Sequence, residues 1–268
     1  MITAVNLFFV FIVGACVGSF LCLCVCRIPS GKSILFPGST CECGAAIPFW
    51  KNIPLLSWLL LRGKASCCGR KIPFRYFEME LMAAVMFVSV FATSASLAHF
   101  IIGSTFCSLL LVIAFIDIDT MEIYDAMSVG GMVAGIAVSL IFPQWYGERS
   151  IASSFVDCTI GICFGSALML SIAALGKIIL KREAVGFGDV KLMGMIGGFI
   201  GWRGCFVALF GGCFISTAIA IPPLLVMKII RRGAFKIPRE IPFAPFLVIG
   251  SIAHILFGNR FLEFFLIV

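Results

Sequence analysis

Residues 81–116 read LMAAVMFVSVFATSASLAHFIIGSTFCSLLLVIAFI and contain no aspartate, glutamate, lysine or arginine. As one straight helix this run would be about 54 Å long at ~1.5 Å per residue, whereas the hydrocarbon core of a bilayer is only ~30 Å thick. We therefore predict that the run contributes to two membrane spans, at 79–97 and 99–117, with a reversal of the chain between residues 93 and 99. Its composition indicates a protein that crosses a membrane more than once.

The rest of the chain has a similar character. Apolar residues make up 61% of the 268 residues and charged residues only 12%, and the mean hydropathy is +1.14. These values exclude an ordinary soluble domain. They predict an all-α polytopic membrane protein with about eight transmembrane helices, whose other spans lie at 5–26, 126–142, 156–177, 190–202, 204–227 and 244–266.

Three segments follow from this pattern. Residues 1–26 are uncharged and form the first transmembrane helix, which we expect to be retained because no basic region precedes it and no small-residue cleavage site follows. Residues 27–77 form a cytoplasmic loop that contains cysteines. Residues 78–268 form the membrane-embedded core.

The basic residues predict the orientation. Seventeen of the 20 lysines and arginines lie in three segments, 27–77, 177–191 and 228–239, which the eight-span topology places on one side. The positive-inside rule makes that side cytoplasmic, so both termini are expected outside. The net charge of +7 is thus explained by topology and gives no reason to expect a nucleic-acid partner. A basic cytoplasmic side also suits contact with anionic membrane lipids.

Two acidic motifs lie at the ends of predicted spans on the cytoplasmic side: FIDIDTMEIYD at 115–125 and GFGD at 186–189. Carboxylates beside a bilayer are costly and indicate a functional site by default. Two carboxylates that share a proton are the reacting groups of an aspartic protease. The candidates are Asp117, Asp125 and Asp189, whereas Asp119 and Glu122 are expected to be solvated.

The role of Asp125 can be interpreted in two ways. On a continuous helix Asp117 and Asp125, eight residues apart, would share a face. If Asp125 instead opens the next helix, it could serve as a helix cap. In the second motif, Gly186 and Gly188 allow backbone conformations and a close approach of a substrate strand that other residues would prevent.

Thirteen cysteines are present, and nine of them lie in or beside predicted spans, where cysteine acts as a small apolar residue. The other four are Cys41, Cys43, Cys67 and Cys68, in a cytoplasmic loop where thiols stay reduced. Four thiolates can form a tetrahedral zinc site and hold together a loop that has no core of its own. Because Cys67 and Cys68 are adjacent, a three-ligand site and free thiols are alternatives.

The motif GFGDVKL at 186–192, followed by Gly197 and Gly201-Trp202, resembles the signature of the type IV prepilin peptidases, which are bacterial inner-membrane aspartic proteases of the Gly-x-Gly-Asp type. Residues 115–125 resemble that family's Ile-Asp…Pro-Asp segment, with Tyr124 in place of the usual proline. Further similarities lie at 14–21, 27–29, 52–58 and 242–246, with Cys22 in place of an asparagine. These matches occur in order along nearly the whole chain.

This resemblance implies a function. Members of the family remove the short basic leader from type IV prepilins or pilin-like secretion proteins at the cytoplasmic face. Many members then N-methylate the new N-terminus with S-adenosylmethionine. Carried onto this chain, the catalytic pair is Asp125 and Asp189, with Asp117 as the rival for the first position.

The resemblance also bears on the N-terminal region. The family usually has two Cys-x-x-Cys pairs, and this chain has Ala65 where the third cysteine is expected. Methyl transfer is expected to involve residues 14–29 together with the 27–77 loop. Alternatively, Gly14 and Gly18 serve only as a small-residue contact between helices.

Two other functions are compatible with the composition. An ion-coupled transporter would place carboxylates near the middle of the membrane and often contains an internal repeat. Here the carboxylates lie at span ends, and the sequence has no visible repeat. A non-enzymatic pilus assembly factor would need neither acidic motif. The motifs therefore favour an aspartic endopeptidase over both alternatives.

Overall fold

The computed structural model describes residues 3–36, 38–41, 43–181, 185–214, 217–218 and 242–258. Within these ranges the regular structure is helical, and β-structure is limited to two isolated bridges. The α-helices are α1 (Ala4–Arg27), α2 (Leu56–Leu60), α3 (Phe74–Thr93), α4 (Leu97–Thr120), α5 (Asp125–Ile141), α6 (Ile151–Leu180), α7 (Phe187–Phe206) and α8 (Ala244–Phe257). The predicted all-α class is confirmed.

Five helical segments have the length and composition to cross a membrane: α1, α3, α4, most of α6, and residues 187–214, which begin with α7 and contain a break at Gly201. Helices α5 and α8 are apolar but shorter. The chain is therefore a multi-pass membrane protein. The count of eight spans stays a prediction, since much of the span predicted at 204–227 and the end of that at 244–266 lie outside the described residues.

The reversal predicted between residues 93 and 99 is confirmed. Helix α3 ends at Thr93 and α4 begins at Leu97. The hydroxyl of Ser96 accepts a hydrogen bond from the backbone N–H of His99 at 3.3 Å. A serine directly before the first helical residue satisfies one of the N–H groups that a helix start leaves without a partner. A short polar connection thus starts the second helix.

The chain divides into two compact units, residues 1–112 and 113–268. In the first unit α1 packs closely on α3 through two glycines. A Cβ atom on Gly18 would lie 2.7 Å from the Cα of Glu80, and one on Gly14 would lie 2.8 Å from the Cα of Ala84. Real Cβ atoms do not approach backbone so closely, so these positions require glycine. The small-residue helix contact at Gly14 and Gly18 is confirmed. The predicted boundaries at 26/27 and 77/78 stay predictions.

In the second unit α7 is interrupted at Gly201, where the backbone is not helical (φ 69°, ψ 176°). A Cβ on Gly197 would lie 2.9 Å from the sulfur of Cys205. Residues eight apart on a straight helix are ~12 Å apart along its axis. The chain therefore turns back at Gly201, between the spans predicted at 190–202 and 204–227.

The carbonyl groups at this break have side-chain donors. Trp145 Nε1 donates to the carbonyl oxygen of Phe199 at 2.7 Å, and the Tyr146 hydroxyl donates to that of Gly198 at 2.5 Å. Both donors belong to a 3₁₀ turn, Pro143–Tyr146, between α5 and α6. The last carbonyls of a helix have no partner within it. These two bonds therefore stabilise the C-terminal end of the first part of α7, which carries Asp189 in its first turn.

Candidate active site and cysteine cluster

Asp189 lies in the first turn of α7, three residues after Gly186, the residue that caps this helix. Its Oδ2 atom accepts a hydrogen bond from the backbone N–H of Gly186 at 3.2 Å. Its residue surface is only 9% exposed. The start of a helix carries a partial positive charge, which favours a carboxylate at this position.

Gly188 allows the start of α7 to approach the connection between α4 and α5. A Cβ on Gly188 would lie 3.0 Å from the Cβ of Ile123, a closer contact than nearly all real side chains make. A Cβ on Gly186 would be in ordinary contact, 3.5 Å from Asp189 Oδ2. A side chain at position 188 would therefore require Ile123 to shift by a few tenths of an ångström.

Asp117 lies in the last turn of α4 and is 5% exposed. Its Oδ2 atom accepts a hydrogen bond from the backbone N–H of Ala244 at 3.1 Å. Ala244 is the first residue of α8, so its N–H has no acceptor within that helix. The PFAPF segment at 242–246 therefore supplies the hydrogen-bond donor that holds Asp117 in place.

Asp117 and Asp189 line the same cavity, which has a volume of about 360 Å³. The remaining lining residues come from the α4–α5 connection and from the start of α7: Met121, Glu122, Ile123, Tyr124, Gly186, Phe187 and Gly188. The two carboxyl groups interact electrostatically. Residues far apart in the sequence are thus brought together as a pair of buried carboxyls beside a cavity.

Asp125 has different surroundings. It is the first residue of α5, its side chain is 67% exposed, and it does not line the cavity. Its Oδ1 atom accepts a hydrogen bond from Lys191 Nζ at 2.6 Å. Helix α4 ends at Thr120, and Met121 adopts a left-handed conformation (φ 56°). Of the two interpretations of Asp125, the one that places it on the same helix face as Asp117 is therefore wrong. Asp125 begins the next helix, although the residue at the cap position is Tyr124. Asp119 and Glu122 are exposed, as expected.

The four loop cysteines converge in the first unit. The sulfurs of Cys41 and Cys68 are 3.6 Å apart, those of Cys43 and Cys67 are 3.5 Å apart, and all four lie within 4.8 Å of one another. A tetrahedral zinc site with Zn–S bonds of ~2.3 Å has sulfurs ~3.8 Å apart. The cluster therefore fits a zinc ion, and the adjacency of Cys67 and Cys68 does not prevent four-sulfur convergence.

Two tight turns present these thiols. In the first turn the N–H of Gly44 donates to the carbonyl of Cys41 at 2.8 Å, and in the second the N–H of Gly69 donates to that of Ala65 at 2.8 Å. Both glycines have positive φ angles, 86° and 70°, a conformation that glycine adopts without strain. Each pair of cysteines thus lies on a glycine-closed turn.

Hydrogen bonding within the cluster separates the pKa values of its thiols. The backbone N–H of Cys43, together with neighbouring thiols, lowers the pKa of Cys41 to about 7. Hydrogen bonds with the Cys41 and Cys43 sulfurs raise the pKa of Cys67 to about 12. A metal ion binds thiolates, so metal binding to these four sulfurs would release the protons that the thiols carry without metal.

Two family models match this chain. The model described as "Bacterial Peptidase A24 N-terminal domain" matches residues 12–94, and that described as "Type IV leader peptidase family" matches residues 104–221. A Bacillus subtilis relative named "Prepilin leader peptidase/N-methyltransferase" is 30% identical over 262 residues, which cover 96% of each chain. The chain belongs to the type IV leader peptidase family.

Other relatives in the type IV leader peptidase family have the same name. The protein from Myxococcus xanthus is 35% identical over 218 residues, which cover 81% of this chain but 63% of the relative's length. The protein from Klebsiella pneumoniae is 31% identical over 202 residues, which cover 73% of this chain and 85% of the relative. No solved structure matches the chain significantly. The predicted resemblance is confirmed at the level of the family.

The two matched segments of this chain contain different sites. Residues 12–94 contain the cysteine cluster, and residues 104–221 contain both acidic motifs. The sequence drew attention to all three aspartates, but it did not indicate that Lys191 pairs with Asp125. The sequence also did not indicate the hydrogen bond from Ala244 to Asp117. The similarity of the PFAPF segment to the family was the one signal that could have directed attention to Ala244.

Proposed function

We propose that this protein is an intramembrane aspartic endopeptidase and that Asp117 and Asp189 are its catalytic pair. The observation that carries the proposal is the presence of two buried carboxyl groups on one cavity, at the ends of two apolar helices. Membership of the type IV leader peptidase family supports the same activity. The position of the pair at helix ends, away from mid-helix, disfavours an ion-coupled transporter.

The pair can act on a peptide bond as follows. Two neighbouring carboxyls in a poorly solvated site do not both ionise easily, so they share one proton. The ionised carboxylate accepts a proton from water as the water oxygen attacks the peptide carbonyl, and the protonated carboxyl donates a hydrogen bond to the carbonyl oxygen. Proton transfer to the amide nitrogen then releases the amine product. The hydrogen bonds from Gly186 and Ala244 hold the carboxyls in position before the substrate binds.

The first member of the pair differs from the one that the sequence favoured. The pairing of Asp125 with Asp189 stays a prediction, and we propose Asp117 in its place for two reasons. Asp117 is buried beside the cavity, whereas the Asp125 side chain is mostly exposed. Asp125 is also bound to Lys191, so its carboxylate is engaged in an ion pair outside the cavity lining.

The proposed substrates are type IV prepilins or pilin-like secretion proteins. The relatives' name, prepilin leader peptidase/N-methyltransferase, supports this substrate class. We place the protein in the bacterial inner membrane, with its termini outside and its active site at the cytoplasmic face, because most basic residues lie in segments that the predicted topology puts on that side. Anionic lipids are expected to contact the same basic side.

A second activity and a metal site complete the proposal. The N-methyltransferase part of the relatives' name supports methylation of the new N-terminus with S-adenosylmethionine. The part of the chain that matches the N-terminal family model is the expected location. Zinc bound by Cys41, Cys43, Cys67 and Cys68 would join the two glycine-closed turns and brace this segment.

Cleavage of a purified prepilin tests the proposal directly. The full-length protein in liposomes should convert the precursor to a shorter product whose mass corresponds to cleavage after the glycine that ends the leader. The Asp189→Asn variant, prepared in parallel, should leave the precursor intact. Full cleavage by this variant would contradict the aspartic mechanism. An intact precursor with the wild-type protein would favour an assembly factor or a transporter.

A further inference from the structure

The first unit contains a second, larger cavity. Its volume is about 1120 Å³, and it is lined by residues of α1, the 28–73 loop and the start of α3. Small-molecule pockets usually measure ~300–1,000 Å³. This cavity therefore has room for a cofactor-sized ligand together with the end of a peptide. It lies within the segment matched by the N-terminal family model.

The charges around the cavity are strongly unequal. Five basic side chains line it: Arg27, Lys32, Lys51, Arg70 and Lys71. Among the described lining residues Glu80 is the one carboxylate. The basic groups suit the carboxylate of S-adenosylmethionine, and the aromatic side chains of Trp58 and Tyr76 in the lining suit its sulfonium. A peptide N-terminus, which is an ammonium group, would pair with Glu80.

Glu80 is held in a fixed position. It is 7% exposed, and its Oε2 atom accepts a hydrogen bond from the backbone N–H of Leu55 at 2.7 Å. The Ser19 hydroxyl, on α1, also hydrogen-bonds this carboxylate. Leu55 has a φ angle of 63°, which is unfavourable for a residue with a branched side chain. Strained backbone is commonly retained where it orients a functional group. Here it directs an N–H group at Glu80.

We propose that Glu80 is the group that binds and deprotonates the new N-terminal amine for methyl transfer in this cavity. The inference rests on the methyltransferase half of the proposed function. The carboxylate accepts one proton from the ammonium group. The nitrogen lone pair of the neutral amine then attacks the methyl carbon of the sulfonium donor. As the N–C bond forms, the C–S bond breaks, and its electron pair stays on sulfur, which leaves a thioether and a secondary ammonium product.

Other titratable groups near Glu80 do not offer the same chemistry. Tyr76 of α3 and Cys16 and Cys26 of α1 also line the cavity. Cys22 of α1 does not line it, but its thiol interacts electrostatically with both Glu80 and Arg75. Cys41 and Cys67, which form another part of the lining, belong to the four-sulfur cluster. The other thiols and the phenol are ordinarily neutral near pH 7, whereas carboxylates are ordinarily ionised. Glu80 is therefore the residue suited to accept a proton from an ammonium group there.

The test uses the full-length protein in liposomes with a mature pilin that has already lost its leader, so methylation is measured separately from cleavage. Glu80→Gln keeps an oxygen that can accept the Leu55 hydrogen bond but removes the charge. Glu78→Gln is the matched control, because Glu78 lies on the same helix, is exposed and does not line the cavity. Mass spectrometry of the pilin gives the rate of methyl addition.

At pH 7 we expect Glu80→Gln to methylate at least about tenfold more slowly than wild type, as for loss of a general base. Glu78→Gln should methylate normally, and both variants should still cleave a prepilin. The pKa of a peptide α-amino group is ~7.7–8.0, so most of the amine is neutral at pH 9 without a base. The defect of Glu80→Gln should therefore shrink at pH 9, which a purely structural defect would not do.

Three results would overturn the inference. The first is normal methylation by Glu80→Gln at pH 7. The second is an equal loss of methylation at pH 7 and pH 9, which would show that Glu80 acts through the fold. The third is a wild-type protein that cleaves prepilin but never methylates it. That result would remove the methyltransferase half of the proposed function together with this inference and would leave the protease half standing.

Discussion

At the residue scale, the environment of each carboxylate indicates what it can do. Asp117 is 5% exposed and receives a backbone hydrogen bond from Ala244. Asp125 forms an ion pair with Lys191, which is two residues after Asp189 on α7. Exposed ion pairs contribute only ~0–1 kcal/mol to stability. We infer that the Asp125–Lys191 pair mainly orients the start of α7 and hence Asp189.

The ion pair predicts non-additive effects of substitution. Asp125→Asn and Lys191→Met should each slow prepilin cleavage by only a few-fold, consistent with the ~0–1 kcal/mol of an exposed pair. The double variant should be no slower than either single variant, because each change removes the same interaction. Cleavage rates of the four proteins provide the measurement.

Asp119→Asn is the control for this cycle, since Asp119 is exposed and does not line the cavity, and it should cleave nearly normally. If the fold-losses in cleavage rate of the two single variants multiply in the double variant, Asp125 and Lys191 act separately. A loss of several powers of ten for Asp125→Asn alone would return Asp125 to the catalytic pair.

At the element scale, the site depends on the close approach of the α4–α5 connection to the start of α7. This approach is tight at position 188, where an added Cβ would lie 3.0 Å from the Cβ of Ile123 and would require that side chain to shift. The other end of this part of α7 is fixed at its break by Trp145 and Tyr146. The helix that carries Asp189 is thus positioned at both ends.

Gly188→Ala should slow cleavage by roughly tenfold or more, because small displacements of catalytic groups have large effects on rate. Gly186→Ala is the matched control: its added Cβ would make an ordinary contact, and the backbone N–H that donates to Asp189 is kept. Cleavage assays in liposomes, with membrane insertion checked for both variants, make the comparison. Equal rates for the two variants would contradict the steric role of Gly188.

The elements also show where sequence patterns were sufficient. Hydropathy predicted the reversal between α3 and α4, because the uncharged run at 81–116 is too long for a single membrane span. The predicted spans at 99–117 and 126–142 left a break between them, but the exact end of α4 at Thr120 was not predicted, because neither glycine nor proline occupies position 121, where Met121 adopts a left-handed conformation. The position of this helix end determines the separate surroundings of Asp117 and Asp125, and hence which of them is proposed as the first catalytic carboxylate. The hydrogen bond from Ala244 to Asp117 joins residues 127 positions apart, a separation that local patterns do not reveal.

At the whole-molecule scale, the chain contains two chemically distinct sites. The unit of residues 1–112 contains the cysteine cluster and the larger cavity, and the unit of residues 113–268 contains the aspartate pair. The family was predictable from ordered motifs. The sequence also predicted a site made by the four cysteines, but their irregular spacing left a three-ligand site and free thiols as alternatives. We therefore expect the two activities to be separable by substitution.

Metal content tests the cysteine cluster. The purified protein should contain about one equivalent of zinc, because structural four-thiolate sites bind zinc tightly. Cys67→Ser should lower the zinc content and make the 28–73 loop more sensitive to proteolysis. Cys163→Ser, which changes an exposed cysteine of α6 outside the cluster, should retain the metal. Less than roughly a tenth of an equivalent in the intact wild-type protein would contradict the zinc site.

The central claim is that Asp117 and Asp189 are the catalytic pair, and the most direct test is the rate of prepilin cleavage by three asparagine variants in liposomes. We predict that Asp117→Asn and Asp189→Asn each lose about 10³-fold or more, as expected when one member of a catalytic unit is removed. Asp125→Asn should lose only a few-fold. A nearly normal rate for Asp117→Asn, with Asp125→Asn inactive, would contradict the claim and would assign the first carboxylate to Asp125.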